Sequence, residues 1–320
     1  MPKKVPKSPA DYIVPLNING LEGRMLRLPA LDIKQAANKE ILLVYGHHAM
    51  IERWWSLVQN LNHYGSVTVP DLPGFGGMDS FASIGIKPDV DAYADYLAAF
   101  VKLRYRRKRV TIVAISFGFV IATRMLQRYP ELTKKVNMLV SLVGFMHKDD
   151  FVYSPSRQRF YRRATRLFAT RPYAFFIRHC LLNRFVLRTL YVKLPNSKRR
   201  MIEVGPEEFE TTMDFEVKLW QANDVRTHWL TTSQFFTVDN CTKQIALPIY
   251  HVASEQDHYF NNEIVKQHML VVFEKYYRFV ANSKAHTPSV LADEKAAGVM
   301  LPPGLRRLLA KPPQWYNAKQ

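Results

Sequence analysis

Short runs of apolar, mostly β-branched residues recur along the chain and alternate with stretches in which apolar residues have helical spacing. A short apolar run bounded by turn residues is typical of a buried strand. Such runs predict strands at residues 41–45, 67–69, 110–115, 136–143, 248–253 and 277–280. Helical spacing predicts helices at residues 51–62, 89–103, 117–129 and 263–273, and a largely helical segment at residues 290–309 with a break at Pro302-Pro303. An N-terminal hairpin is predicted from strands at residues 12–16 and 24–28.

The alternation of strands with helices predicts the architecture. Units of this kind form an α/β fold with a mostly parallel, doubly wound sheet. The alternation is interrupted by an arginine-rich, helix-patterned insertion. We therefore expect a first part of the core at residues 1–146, the insertion at residues 147–245, and a second part of the core at residues 246–320.

The predicted strand that begins at Val110 ends at a serine, and an apolar helix follows at once. Between them the sequence reads Ala-Ile-Ser-Phe-Gly, with Ser116 at the apex. A strand, a tight turn and a helix with serine at the apex are the layout of a nucleophile elbow, whose usual motif is G-x-S-x-G. The outer positions, Ala114 and Gly118, are small because the strand and the helix pass close together there. Alanine is the next smallest residue after glycine, so this departure from the motif is mild.

Two further motifs accompany the elbow. A Tyr-Gly-His turn that ends at His47 follows an early strand, and an Asp-x-Pro-Gly-x-Gly loop starts at Asp71. Together with Ser116, their order and spacing resemble the α/β-hydrolase superfamily over most of residues 10–146 and 246–310. The resemblance implies an α/β-hydrolase-like fold in which the insertion is a helical cap over the serine.

The resemblance also implies a catalytic triad. Family members use serine, then an acid, then histidine in chain order, because a base must accept the serine proton and a carboxylate must orient that base. Ser116 is then the nucleophile, Asp257 the acid after the strand at residues 248–253, and His286 the base after the last strand.

Alternatives for the acid and the base remain at this stage. The rival acids are Glu255, a near neighbour, and Asp149 or Asp150, since some relatives supply the acid from the loop after the preceding strand. The rival bases are His258 and His268, both of which we expect on solvated faces.

An acyl-transfer serine also needs an oxyanion hole, formed by backbone N–H groups aimed at the developing negative charge. By the family pattern these donors are the N–H groups of Phe117, directly after the nucleophile, and of His47, directly after Gly46. The usual His-Gly pair of the family is Tyr45-Gly46 here, so we expect different supporting contacts for this loop.

We expect no cofactor and no metal. The adjacent histidines His47 and His48 point in different directions and have no third ligand spaced nearby. The glycines at positions 74, 76 and 77 follow no phosphate-binding pattern, so they indicate a tight turn.

The charge of the chain is large and unevenly distributed. The net charge is +18, and residues 151–200 contain 13 Lys and Arg with no Asp or Glu. One predicted helix there carries an arginine stripe of Arg159, Arg162, Arg163 and Arg166. Its opposite side carries Phe160, Tyr161, Ala164, Leu167 and Phe168. This amphipathic helix is either a solvated face or a contact site for anionic membrane. A second helix is predicted at residues 173–190.

The composition of the 320 residues, 48% hydrophobic and 12% aromatic, is typical of a globular protein. The two cysteines, Cys180 and Cys241, have no metal or redox spacing and favour a reducing compartment. No apolar run approaches the roughly 18 residues of a membrane span. We therefore expect a cytoplasmic protein, with peripheral membrane contact as an open alternative.

These observations favour a serine hydrolase of the esterase or lipase type. We expect it to cleave an ester or related acyl bond of an apolar or amphiphilic small-molecule substrate through an acyl-enzyme, with an anionic substrate as an open alternative. The same triad would also serve an acyltransferase or a C–C, amide or lactone hydrolase. The alternative from another class is a catalytically silent scaffold whose basic cap binds membrane or nucleic acid, of which nucleic acid is the less favoured.

Overall fold

An eight-stranded sheet runs through the protein, whose computed structural model describes residues 8–31, 39–193, 206–255, 257–282, 286 and 292–311. Its strands are β1 (Ile13–Ile18), β2 (Leu21–Leu28), β3 (Glu40–Val44), β4 (Ser66–Pro70), β5 (Val110–Ile115), β6 (Val136–Leu142), β7 (Ile245–Ser254) and β8 (Phe273–Ala281). The strand order is β1-β2-β4-β3-β5-β6-β7-β8. The pairs β1–β2 and β2–β4 are antiparallel, and all other neighbouring pairs are parallel. The predicted α/β-hydrolase-like fold class is confirmed.

Helices flank this sheet and also fill the segment between β6 and β7. The flanking helices are α1 (Trp55–Asn62), α2 (Val90–Arg104) and α3 (Phe117–Arg128). The inserted helices are α4 (Pro155–Phe168), α5 (Arg171–Phe176), α6 (Arg184–Lys193), α7 (Pro206–Ala222) and α8 (Val225–Phe235). The C-terminal helices are α9 (Asn262–Val272), α10 (Glu294–Ala297) and α11 (Pro303–Ala310). Short 3-10 helices lie at Pro9–Tyr12, Ile51–Trp54, Phe81–Ile84, Pro130–Lys135, Lys148–Asp150 and Gly298–Met300.

Local sequence explains where the elements near the site begin and end. All five residues of β3 are buried, as expected for a central parallel strand covered on both faces. The carboxylate of Asp89 accepts a hydrogen bond from the Ala92 N–H and caps α2, while Asp224 caps α8 through the Thr227 N–H. Pro130 disfavours helical geometry at Tyr129, and α3 ends one residue earlier.

The inserted helices have small apolar clusters of their own, apart from the main core that surrounds the sheet. One cluster contains Ala174, Ile177 and Val225, and another contains Leu187 and Met213. These helices follow β6 and precede β7, where the sequence predicts an insertion. None of the described helices is long and apolar enough to span a lipid bilayer.

Two predicted helices have different bounds in the structure. The helix predicted at residues 173–190 is divided into α5 and α6. A π turn at Ile177–Leu181 follows α5 and ends at Leu182. The Asn183 side chain then accepts a hydrogen bond from the Val186 N–H and caps the start of α6. The C-terminal segment, predicted as largely helical at residues 290–309 with a break at Pro302-Pro303, contains α10, the 3-10 helix at Gly298–Met300 and then α11, which begins at Pro303. Residues 290 and 291 lie outside the described residues.

Candidate active site

The turn between β5 and α3 places Ser116 in an unusual backbone conformation. Its φ of 48° and ψ of −115° are rarely adopted by a residue with a side chain. Two backbone hydrogen bonds hold the turn: the Ser116 N–H donates to the Leu142 carbonyl at 3.0 Å, and the Phe119 N–H donates to the Ser116 carbonyl at 3.0 Å. Strain of this kind persists only where the surrounding structure enforces it, and it is concentrated at functional sites.

The small residues of the elbow are required by close backbone contacts. A Cβ atom on Gly118 would lie 2.3 Å from the Val44 carbonyl oxygen and 2.5 Å from that of Tyr45. A Cβ atom on Gly46 would lie 3.3 Å from the Cβ of Ser116, so the turn after β3 packs directly on the elbow. Ala114, fully buried, pairs in the sheet with Val44.

The structure brings Ser116, His286 and Asp257 together from three separate parts of the chain. The Ser116 Oγ lies 3.2 Å from His286 Nε2, and His286 Nδ1 lies 2.7 Å from Asp257 Oδ2. The Asp257 side chain is 2% exposed and that of His286 is 14% exposed. One imidazole therefore connects a hydroxyl to a buried carboxylate, as in the serine–histidine–aspartate arrangement.

The Asp257 carboxylate is oriented by the loop after β7. Its Oδ1 accepts hydrogen bonds from the N–H groups of Tyr259 and Phe260, at 2.8 and 3.2 Å, which leaves Oδ2 for His286. Burial acts to raise the pKa of this carboxyl, but the hydrogen bond and charge of His286 and the two backbone bonds lower it below its ordinary value. The group is therefore held as a carboxylate.

The loop after β3 is supported by a buried hydrogen-bond network. The Tyr45 hydroxyl donates to Asp71 Oδ1 at 2.8 Å and accepts from the Leu72 N–H at 2.9 Å. Asp71 is fully buried, and a Cβ atom on Gly76, whose φ is 63°, would overlap its carboxylate. Tyr45 thus fastens the turn before His47 to the glycine loop, and these are the supporting contacts that replace the usual His-Gly pair.

The His47 side chain contacts α8. Its Nε2 lies 3.1 Å from the His228 carbonyl and 2.8 Å from Thr231 Oγ1. Because a carbonyl only accepts, Nε2 carries the proton in this arrangement. Burial lowers the pKa of His47 to about 4, against the opposing effect of the His228 carbonyl, so the ring is neutral near pH 7.

The two predicted oxyanion donors lie on either side of the elbow. Phe117 is the first residue of α3, where an N–H has no partner within the helix. Within the described residues, the backbone N–H groups of Phe117 and His47 donate no hydrogen bond. Both are therefore available to a ligand atom.

Comparison with known families agrees with the fold. A family model described as the alpha/beta hydrolase fold matches residues 40–287, which is more than three quarters of the chain. The chain belongs to the α/β-hydrolase family. No curated protein sequence matches this α/β-hydrolase.

Several solved structures are similar to this α/β-hydrolase in fold. An esterase from Exiguobacterium antarcticum has a TM-score of 0.65 at 12% identity, covering 92% of this chain and 97% of its own. A putative lipase from Acinetobacter baumannii has a TM-score of 0.63 at 16% identity, covering 93% and 90%. An N-formylmaleamic acid deformylase from Pseudomonas putida has a TM-score of 0.60 at 16% identity, covering 86% and 94%.

The rival acids and bases lie elsewhere in this α/β-hydrolase. Glu255 and His258 are exposed, and the Asp149 side chain is 61% exposed. Asp150 is fully buried, but its Oδ1 lies 2.5 Å from Nδ1 of His268, not from His286. The expectation that His268 lies on a solvated face is therefore wrong, because α9 turns this side chain inward onto a buried carboxylate.

The Asp150–His268 pair should make the stability difference between the wild type and a His268 variant depend on pH. The hydrogen bond and charge of Asp150 raise the pKa of His268 although burial opposes this, so the folded state binds the proton more tightly than the unfolded chain. Replacing His268→Gln should therefore lower the melting temperature most at about pH 6 and below, where both states of the wild type are largely protonated. The loss in melting temperature should become smaller as the pH rises through the raised folded-state pKa of His268, up to about pH 9.

The matched control for this pair is the exposed pair of His63 and Glu294, 2.8 Å apart with side chains 55% and 41% exposed. His63→Gln should change the melting temperature little at either pH, since exposed ion pairs contribute little. A His268→Gln loss that stayed constant from acid to alkaline pH would contradict the assignment.

The contacts that α8 and the turn before it make with the loops beside Ser116 are the part of the site that the sequence did not reveal. Asn223 accepts a hydrogen bond from the Gly76 N–H at 2.9 Å, and its Nδ2 lies 3.1 Å from His48 Nδ1. Thr231 holds the His47 ring. No motif or spacing marks these polar residues, because their partners are about 150 residues or more away in sequence.

Aromatic rings form a continuous wall from the base to the oxyanion loop. The Phe260 ring lies 5.2 Å from that of His286 and 4.7 Å from that of Phe145. The Phe235 ring lies 5.5 Å from Phe145, 5.3 Å from Phe117 and 4.9 Å from His47. Four segments of the chain thus supply the rings of this row, which runs from His286 to His47. Within the described residues, no group of three or more His, Cys, Asp or Glu could hold a metal ion.

Proposed function

We propose that this α/β-hydrolase is a serine hydrolase that cleaves an ester or related acyl bond by way of an acyl-enzyme. The observation that carries the proposal is the chain of contacts from Ser116 through His286 to Asp257, at 3.2 and 2.7 Å. A serine hydroxyl is a weak nucleophile unless a base within hydrogen-bond distance accepts its proton. The strained elbow and the buried, ionised carboxylate support the same assignment.

In the proposed mechanism, Ser116 Oγ attacks the substrate carbonyl carbon and its proton passes to His286 Nε2. Asp257 accepts the hydrogen bond from His286 Nδ1–H, which fixes the tautomer and stabilises the imidazolium. The N–H groups of Phe117 and His47 stabilise the oxyanion. The imidazolium then protonates the departing alkoxide, and the acyl-enzyme remains. Water then attacks the acyl-enzyme ester, with His286 again as the base. His286 returns the proton to Ser116 Oγ as the acid product leaves.

The substrate is apolar or amphiphilic on its acyl side. The rings of Phe145, Phe235 and Phe260 form a row that begins beside His286, and such a row favours an apolar acyl group. The esterase and the lipase with similar folds are consistent with this class. We assign the inserted helices within residues 147–245 as the cap, and Phe235 and Thr231 as its contribution to the site.

A fluorophosphonate probe tests the proposal directly, since it modifies only an activated serine. The wild type should be labelled at Ser116, and Ser116→Ala should not be labelled. Ser141→Ala is the matched control, because Ser141 also contacts a histidine, His251, at 3.0 Å, but both are buried in the sheet. Labelling that persisted in Ser116→Ala would refute the proposal.

A further inference from the structure

The outward surface of α4 carries apolar residues that are largely exposed. Its inward side is held by Tyr161, whose ring contacts Phe236 at 5.8 Å, and by Phe168, whose ring contacts Trp229 at 5.1 Å. Phe160 and Leu167 project the other way and are 66% and 47% exposed. The predicted division into an arginine side and an apolar side is thus wrong for these two residues, which share the exposed surface with the arginines.

Helix α5 and the π turn after it continue the same kind of surface. Ala174 and Ile177 are buried, and on a helix the opposite side then carries Phe175 and Phe176, which are 67% and 51% exposed. All four exposed phenylalanines of the described residues lie in α4–α6; the fourth is Phe185. Large apolar side chains concentrated on one exposed region mark an interaction surface.

The same helices carry arginines that have no acidic partner among the described residues. Arg159, Arg163, Arg166 and Arg171 are exposed, and within the described residues their side chains form no hydrogen bond or ion pair. Other arginines of the insertion do have partners: Arg184 and Arg188 pair with Glu210. Arg162, in contrast to the other arginines of its predicted stripe, is only half-exposed. The unpaired positive charge therefore lies on α4 and at the start of α5, beside the exposed aromatic residues.

We propose that this surface docks on a lipid bilayer that contains anionic headgroups. We call it the docking face: Phe160, Leu167, Phe175 and Phe176, with Arg159, Arg163, Arg166 and Arg171 around them. Apolar side chains enter the acyl boundary while the guanidinium groups pair with headgroup phosphates, as on interfacial amphipathic helices. The charge favours an anionic bilayer over a neutral one, because residues 151–200 contain 13 Lys and Arg and no Asp or Glu. The inference goes beyond the proposed hydrolysis and does not depend on it.

Co-sedimentation with vesicles tests the docking face. The full chain should sediment with vesicles of equal parts phosphatidylglycerol and phosphatidylcholine at low ionic strength, and only weakly with phosphatidylcholine alone. Ser116→Ala should bind equally well, so that a failure of docking is distinguishable from a failure of the proposed catalysis. Salt should weaken the binding, because it screens the headgroup charge.

Two sets of variants separate the contributions of the arginines and of the aromatic residues to vesicle binding. Arg163→Gln and Arg166→Gln should each weaken binding about fivefold. Phe160→Ser with Phe175→Ser should weaken it by about tenfold or more, because both rings lose their burial in the bilayer. All these positions are exposed, so melting temperatures should be unchanged. The matched control is Leu103→Ser with Arg106→Gln, an exposed leucine and arginine on the C-terminal side of α2, which should bind as the wild type does.

Three results would overturn the proposal. The first is no sedimentation of the wild type with phosphatidylglycerol vesicles at low salt. The second is equal loss in the control and in the docking-face variants. The third is binding that depends on the arginines but not on Phe160 and Phe175, and that a single-stranded oligonucleotide abolishes by competition; this pattern would identify nucleic acid as the partner instead.

Discussion

Ser116→Ala should lower kcat on a short-chain aryl ester by about 10⁴-fold or more, because the acyl-enzyme cannot form without the nucleophile. The Ser116 hydroxyl is the oxygen that lies 3.2 Å from His286 Nε2. Steady-state kinetics on wild type and variant measure the effect, and the melting temperature should stay within a few degrees since Ser116 is only partly buried.

The double variant distinguishes a cooperating pair from two independent contributions. Ser116→Ala with His286→Ala should be no slower than either single variant, because the two residues act as one unit. Ser141→Ala should retain most of the activity. In the buried Ser141–His251 pair, His251 Nε2 contacts no carboxylate of the described residues, and burial lowers the pKa of His251 to about 3. Losses that multiplied in the double variant, or full turnover by Ser116→Ala, would contradict the mechanism.

Arg24→Met should lower the stability of the protein by about 3–5 kcal/mol near pH 8, since it leaves the buried Asp71 carboxylate without its counter-ion. The Arg24 guanidinium donates to Asp71 at 2.6 Å and also pairs with Glu52. Burial raises the pKa of Asp71 to about 7, while Arg24 and the Tyr45 hydroxyl oppose this rise. The destabilisation should therefore be smaller at about pH 5, where the carboxyl is protonated and needs no counter-ion. Denaturant unfolding at both pH values measures it.

Arg128 provides the matched control for Arg24, because it also forms two ion pairs, with Asp91 and Asp95, but at the surface. Arg128→Met should cost about 1 kcal/mol or less. Adding Asp71→Asn to Arg24→Met should recover part of the loss at about pH 8, since the buried charge is then gone. Equal effects of Arg24→Met and Arg128→Met would show that Asp71 is not the source of the destabilisation.

The central strands were predictable because each is a short apolar run buried on both faces. The runs at residues 110–115 and 136–143 became β5 and β6 nearly unchanged. Element ends were less predictable. Phe273 continues the apolar spacing of α9, yet it begins β8 with an extended backbone. Apolar spacing alone does not show where a chain changes from helix to strand, since a buried phenylalanine suits both.

The candidate site also has parts that the sequence predicts and parts that it does not. Ser116 stands out because the elbow is encoded within five consecutive residues, whose small side chains the structure explains at Gly118. The sequence does not reveal the environment of His268, because its partner Asp150 is 118 residues away and no local pattern indicates the pair. The docking face was only partly predictable: the arginines are visible in the sequence, but the exposure of Phe160 depends on which side of α4 packs against α8.

The sequence by itself determined the alternation of strands and helices, the elbow at Ser116 and the excess of positive charge, because each is a property of neighbouring residues. Only the tertiary structure decided which carboxylate lies beside His286, how Asn223 and Thr231 hold the loops near the serine, and which aromatic residues remain exposed. These features depend on contacts between residues far apart in the chain, and their energies come from burial and geometry that exist only once the protein has folded.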